Sequence, residues 1–233
     1  MGNPAARRKS ERHNMIWIIF IGTMAVSLWA MWRVKSVYNH YNQGVVRSGM
    51  TGGEVAAEIL RRTGIRDVEI THAEGVLGDH YDPIHKRLVL SEANYFGRTP
   101  AALGVAAHEC GHAMQHAKAY QPLHWRMAAV GITTYANYIV MFLPLLGLFT
   151  GLITPLTGAF FMAVAWGVIM LFNLVTLPVE FDASRRAKEV LADLGFIAPG
   201  EEATGVKRVL DAAAWTYVAA FITYNVAVAF GAG

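Results

Sequence analysis

Charge is scarce in this chain, and where it is missing altogether the gaps are long. Asp, Glu, Lys and Arg make up 16% of the 233 residues, against roughly 25% in ordinary soluble domains. Residues 127–179 contain none of them and no His, and residues 15–32 and 212–233 are also uncharged. A surface helix of a soluble domain keeps one polar face, which runs of this length do not offer. A helix crosses the bilayer core in about 20 apolar residues. The long run therefore suits a two-span hairpin, and each of the others suits one span. The lipid bilayer is an expected partner.

Other absences narrow the field further. The single cysteine, Cys110, excludes an internal disulfide framework and fits a reducing compartment. The net charge of +3 comes without a basic stripe interleaved with aromatics, so nucleic acid is not an expected partner. Arg7, Arg8, Lys9 and Arg12 precede the first apolar run, as in a signal peptide. That run is too long for a signal h-region, and it meets Trp32-Arg33-Val34-Lys35 without an A-x-A-like cleavage site, which favours an uncleaved span.

The polar stretch that follows carries local structure signals. Thr51-Gly52-Gly53-Glu54 has the form of a capping box, and Gly64 is a helix stop. Residues 68–71 and 87–90 are β-branched or aliphatic, and a turn-rich segment, Gly78-Asp79-His80-Tyr81-Asp82-Pro83, lies between them. They are expected to form an antiparallel pair. Thr99 as N-cap with Pro100 at the first helical position predicts a helix to about Lys118. In the long uncharged run, Gly151 and Pro155 mark a reversal between spans. The second span is expected to end near Pro178. Pro199-Gly200-Glu201-Glu202 reads as another helix start, with its acids at the positive end of the dipole.

The chemistry sits on the helix after Thr99, in His108-Glu109-Cys110-Gly111-His112. Histidines four apart share one helix face, so two imidazole nitrogens can meet one metal ion at about 2.0–2.1 Å. Glu109 is placed to act on water as general base rather than to bind the metal. The His-Glu-x-x-His pattern on a helix is specific for zinc peptidases. His116, one turn on, is too far along to ligate and is read as structural. Lys118 stands where the longer metzincin pattern needs its third histidine. Cys110 points away from the histidines, as a small buried apolar side chain.

A catalytic zinc needs a third protein ligand and an open position. Glu180, just past the uncharged run, is the candidate, because a two-span hairpin returns the chain to the face it left. The same position also suits a carboxylate at a helix start. Asp182 and Ser184 would then orient a histidine through its other ring nitrogen. Residues 87–91 could be an edge strand that pairs with an extended substrate, or a core strand. Tyr217 and His80 are candidates for stabilising an oxyanion.

The runs Gly78-Asp79-His80-Tyr81-Asp82-Pro83, Val105-Ala106-Ala107-His108-Glu109-Cys110-Gly111-His112, Pro178-Val179-Glu180-Phe181-Asp182-Ala183-Ser184-Arg185-Arg186 and Ala212-Ala213-Ala214-Trp215-Thr216-Tyr217 resemble the bacterial membrane neutral zinc metallopeptidase family, the YugP-like proteins. That family is more distantly similar to the HtpX and prenyl-protein protease group, in which a glutamate downstream of the histidines is the third zinc ligand. The resemblance implies Zn2+ as cofactor, held by His108, His112 and Glu180, and a protein or peptide substrate. Ser184 stands where that group has an aspartate, four residues after the glutamate.

The expected fold is mainly α: a multi-span helical membrane protein with a small α+β zincin-like catalytic domain carrying the HExxH helix. The expected divisions are a basic tail (1–14), a span (15–34), the catalytic domain (35–126), a two-span hairpin (127–179), and a third-ligand segment with a carboxy-terminal helix and fourth span (180–233). Lys and Arg near span ends are more numerous on the domain side than in the amino tail, which by count favours a cytoplasmic domain under the positive-inside rule, whereas the basic tail before the first span argues the reverse. The expected activity is zinc-dependent endopeptidase cleavage. The rivals are a metal-binding membrane protein, which would carry ionisable groups within its spans, and a silent scaffold, which has no use for Glu109.

Overall fold

The computed structural model describes residues 4–73 and 78–231, and within these the side chains of most residues before Ile21 and of residues 223–231 lie outside the description. The chain is mainly helical with one small sheet. Its elements run α1 (Pro4–Tyr41), α2 (Gly52–Arg62), β1 (Glu69–Ala73), β2 (His80–Asp82), β3 (Arg87–Ser91), α3 (Glu92–Tyr95), α4 (Pro100–Ala117), α5 (Gln121–Thr150), α6 (Pro155–Asp193) and α7 (Glu201–Gly231). Two compact units divide them. One comprises residues 1–31, 126–175 and 216–233, and the other comprises residues 32–125 and 176–215.

In the second unit the local signals behave as their chemistry dictates. The Thr51 hydroxyl accepts from the Glu54 amide while the Glu54 carboxylate accepts from the Thr51 amide, closing the capping box on α2. Gly64, at φ +79°, turns the chain after α2. The Thr99 hydroxyl accepts from the Ala102 amide, and Pro100 opens α4. Helix α2 lays Val55, Ala56, Ile59 and Leu60 against Leu103, Ala106, Ala107 and Cys110 of α4, and Leu88 and Leu90 of β3 and Leu191 of α6 complete this core. Burying a side chain of this kind contributes about 1.5–3 kcal/mol, so α4 is held along most of its length.

The sheet departs from expectation. Its order is β1-β3-β2. Strand β3 pairs in parallel with β1 and antiparallel with β2, so the expected antiparallel β1–β3 pair is not formed. The turn-rich segment supplies β2, which forms the antiparallel hairpin with β3, while β1 pairs along the other side of β3 in parallel. Residues 87–91 are therefore the central strand. Both Leu88 and Leu90 are fully buried, and no edge there is open to substrate.

In the first unit, Ala136 of α5 packs with Ala165 and Ile169 of α6, joined by Val140, Trp166 and Val168. Gly151, at φ +64°, and Pro155 form the reversal between the two helices. Helices α5 and α6 are long and apolar enough to cross a membrane, and little of their apolar stretches is buried within the protein. Leu148, Phe149 and Leu156 are about 80% exposed. Helix α6 runs unbroken through Pro178 to Asp193. Proline removes one helical hydrogen bond, and the packing of Val179, Ala183 and Ala187, all fully buried, outweighs that loss.

Candidate metal centre

Helix α4 presents His108 and His112 from adjacent turns, their ring centroids 4.8 Å apart and their planes nearly perpendicular. Opposite them, α6 presents Glu180, which is 2% exposed. His108 Nε2 lies 3.2 Å and His112 Nε2 3.7 Å from Glu180 Oε2, and the donor atoms of the three residues all fall within 4.8 Å of one another. A tetrahedral zinc with ligands at about 2.0–2.2 Å sets its donors roughly 3.4 Å apart. Two imidazoles and a carboxylate at these separations fit zinc in both chemistry and spacing. Among the described residues the group has three members, which leaves a fourth position for substrate or water.

The approach of the two helices depends on small residues. A Cβ on Gly111 would meet the Ala183 carbonyl oxygen at 2.6 Å. The second x of the His-Glu-x-x-His run is thus a point of close backbone approach between α4 and α6.

The far nitrogens of both rings are also engaged. His108 Nδ1 lies 3.2 Å from Ser184 Oγ. His112 Nδ1 lies 3.0 Å from Gln115 Oε1, and the Gln115 Nε2 group donates to Val179 O at 2.8 Å and to Asp182 Oδ2 at 2.9 Å. Asp182 therefore reaches His112 through Gln115 rather than directly. Sequence reasoning gave Gln115 no role. Its spacing three residues after His112, on the same helix face, was the available signal.

Glu109 is buried beside the histidines. Burial, opposed by His108 and assisted by Glu180 and Asp79, pushes its carboxyl up to about 7, and the Tyr81 backbone amide of β2 donates to it. Strand β2 is one of the two edges of the sheet, and residues 87–91 are not an edge. Cys110 is fully buried with its thiol directed at Ala56 O, and burial raises its pKa above the ordinary range.

The remaining candidates lie elsewhere. His116 Nδ1 is 2.9 Å from the Tyr81 hydroxyl, beside a cavity of about 110 Å³ also lined by Asp67 and Lys86. Burial, His124 and Lys86 lower its pKa. His80 is exposed, its Nδ1 2.9 Å from Gly78 O. Tyr217 belongs to the other compact unit.

A family model described as "putative neutral zinc metallopeptidase" matches residues 16–229. The chain belongs to this family. A relative named "putative membrane protease YugP" in Bacillus subtilis (strain 168) is 41% identical over 200 residues, which cover 86% of this chain and 87% of that protein. No solved structure matches the chain. The family's name agrees with a donor set of two imidazoles and one carboxylate.

Proposed function

We propose that this protein is a membrane-embedded, multi-pass zinc metalloendopeptidase in which His108, His112 and Glu180 bind the metal and Glu109 is the catalytic base. The observation that carries the reading is the convergence of the three donors within 4.8 Å, with the buried Glu109 carboxyl on the residue next to His108. A zinc ion held by these donors supplies Lewis acidity that acidifies water and polarises a carbonyl.

The residues do the rest. Glu109 takes a proton from water as the water oxygen bonds to the scissile carbonyl carbon. It then delivers that proton to the amide nitrogen as the C–N bond breaks. A single carboxyl can serve both steps because it is a base before the attack and an acid after it.

Membrane embedding is supported by α5 and α6 and by the printed name of the relative. The excess of Lys and Arg on the catalytic side of the spans supports a cytoplasmic site.

The test is elemental analysis of detergent-purified protein with a casein cleavage assay. One zinc per chain is expected in the wild type and in Glu109→Gln, which is inactive, and loss of zinc is expected in His112→Ala and Glu180→Ala. Full zinc in Glu180→Ala moves the third ligand elsewhere, and a zinc-free wild type removes the peptidase reading.

A further inference from the structure

We infer that Gln115 is the positioning residue of the metal centre: one buried amide sets the ring tautomer of His112 and ties it to the helix segment that carries Glu180. The inference rests on the reading of His108, His112 and Glu180 as zinc ligands.

Gln115 is fully buried, and a buried amide must place its two N–H donors and its carbonyl oxygen on matching partners. Two of its neighbours settle which end is which. Val179 O is a carbonyl, and Asp182 Oδ2 belongs to a carboxylate ion-paired with Arg186 at 2.6 Å and also paired with Arg185. Both accept hydrogen bonds, so the Gln115 nitrogen faces them, at 2.8 and 2.9 Å. Its oxygen is then left facing His112 Nδ1 at 3.0 Å. An oxygen there can only accept, so Nδ1 carries the hydrogen, and in the neutral ring the lone pair is on Nε2. Nε2 is the nitrogen that faces Glu180 Oε2.

The same side chain spans two helices. Gln115 stands three residues after His112 on α4, and Val179 immediately precedes Glu180 on α6. A shift of one helix against the other would strain hydrogen bonds at both ends of the amide. The partner of His108 differs in kind. Ser184 Oγ, 3.2 Å from His108 Nδ1, can donate or accept, so it dictates no tautomer. The two histidines are thus held unequally, and His112 is the one fixed by construction.

The experiment uses the full chain in detergent. Zinc affinity is read by competition with a chromophoric chelator. The tautomer of His112 in metal-free protein is read by long-range ¹H–¹⁵N correlation on ¹⁵N-histidine protein. Gln115→Leu is expected to weaken zinc binding ten- to a hundred-fold, and to remove the single Nδ1–H signature of His112 while helix content stays unchanged. Gln115→Glu sets a carboxylate against Asp182 and is expected to weaken zinc binding further. Adding Asp182→Asn returns a donor to face it and is expected to recover part of the loss. This pair decides the matter if Gln115→Leu does not reach native helix content. Zinc affinity within twofold of wild type in Gln115→Leu, or no recovery in the double variant, overturns the inference. A zinc-free wild type overturns the metal reading instead, and a wild-type tautomer signature in Gln115→Leu then overturns the positioning role on its own.

Discussion

Gly111 and Ala183 meet backbone to backbone: a methyl group on Gly111 would lie 2.6 Å from the Ala183 carbonyl oxygen and 3.0 Å from its Cα. The contact lies between His108 and His112 on one helix and near Glu180 on the other, so the spacing of these three side chains, which could hold a metal ion, depends on it.

Gly111→Ala tests this directly. The substitution gains up to about 1 kcal/mol in helix propensity, but overpacking against backbone costs about 1–3 kcal/mol. The cost is expected to win. Thermal unfolding should move down by several degrees, and zinc should be released to a competing chelator more readily than from wild type. Unchanged zinc affinity would mean that the helices part without disturbing the donors.

The Glu109 carboxyl gives metal-free protein a definite pH dependence. Its pKa is about 7 in the folded state against an ordinary 4.5, so between these values the folded state binds more protons than the unfolded state. The stability from this group is full below about pH 4.5 and is lost as the pH rises through about 7, on the order of 3 kcal/mol in total. Urea titrations of apo wild type and apo Glu109→Gln across pH 4–8 should show this decline only in the wild type.

Ser184→Ala removes the hydrogen-bonding partner of His108 Nδ1. Zinc affinity is expected to fall about tenfold, the lower end of the usual effect of such partners, because one adaptable hydroxyl is lost and the spacing of α4 and α6 is kept. Chelator competition measures it.

Thr51→Ala removes the hydroxyl that accepts from the Glu54 amide at the start of α2, while the backbone amide at position 51 can still donate to the Glu54 carboxylate. A loss of about 1 kcal/mol is expected, because α2 supports α4 through the shared core. Zinc affinity measured well below the unfolding temperature should not change, which separates general stability from the metal centre.

Met141→Arg places a charge on an exposed apolar side of α5. At the centre of a span an arginine costs about 2.5–3.5 kcal/mol on the insertion scale. The fraction of chains whose α5–α6 hairpin inserts in a microsomal glycosylation assay should fall. An unchanged fraction would place α5 outside the bilayer.

Several features were legible because their causes are local. The capping box at Thr51, the N-cap at Thr99 and the reversal at Gly151 each depend on residues a few positions apart, and all three formed where the chemistry required. The sheet was misread because strand order is a contest among non-local pairings. Strand β2, three residues long, is set by its register on β3 and by little of its own composition. At Pro178 the sequence showed the end of an apolar run, whereas the continuation of the helix past it rests on burial of Val179, Ala183 and Ala187 across the core, a tertiary gain.

Sequence by itself determined that two histidines share a helix face with a glutamate between them, because 3.6 residues per turn leaves no other arrangement for that spacing. It also determined that more than fifty consecutive residues carry no charge. Only the tertiary structure decided which nitrogen of each ring faces the metal position, that Gln115 stands between His112 and Asp182, and how closely Glu180 approaches. Those outcomes depend on the approach of α4 to α6, and the distance between two helices is set by the side chains packed between them, with the absent side chain of Gly111 counting among them.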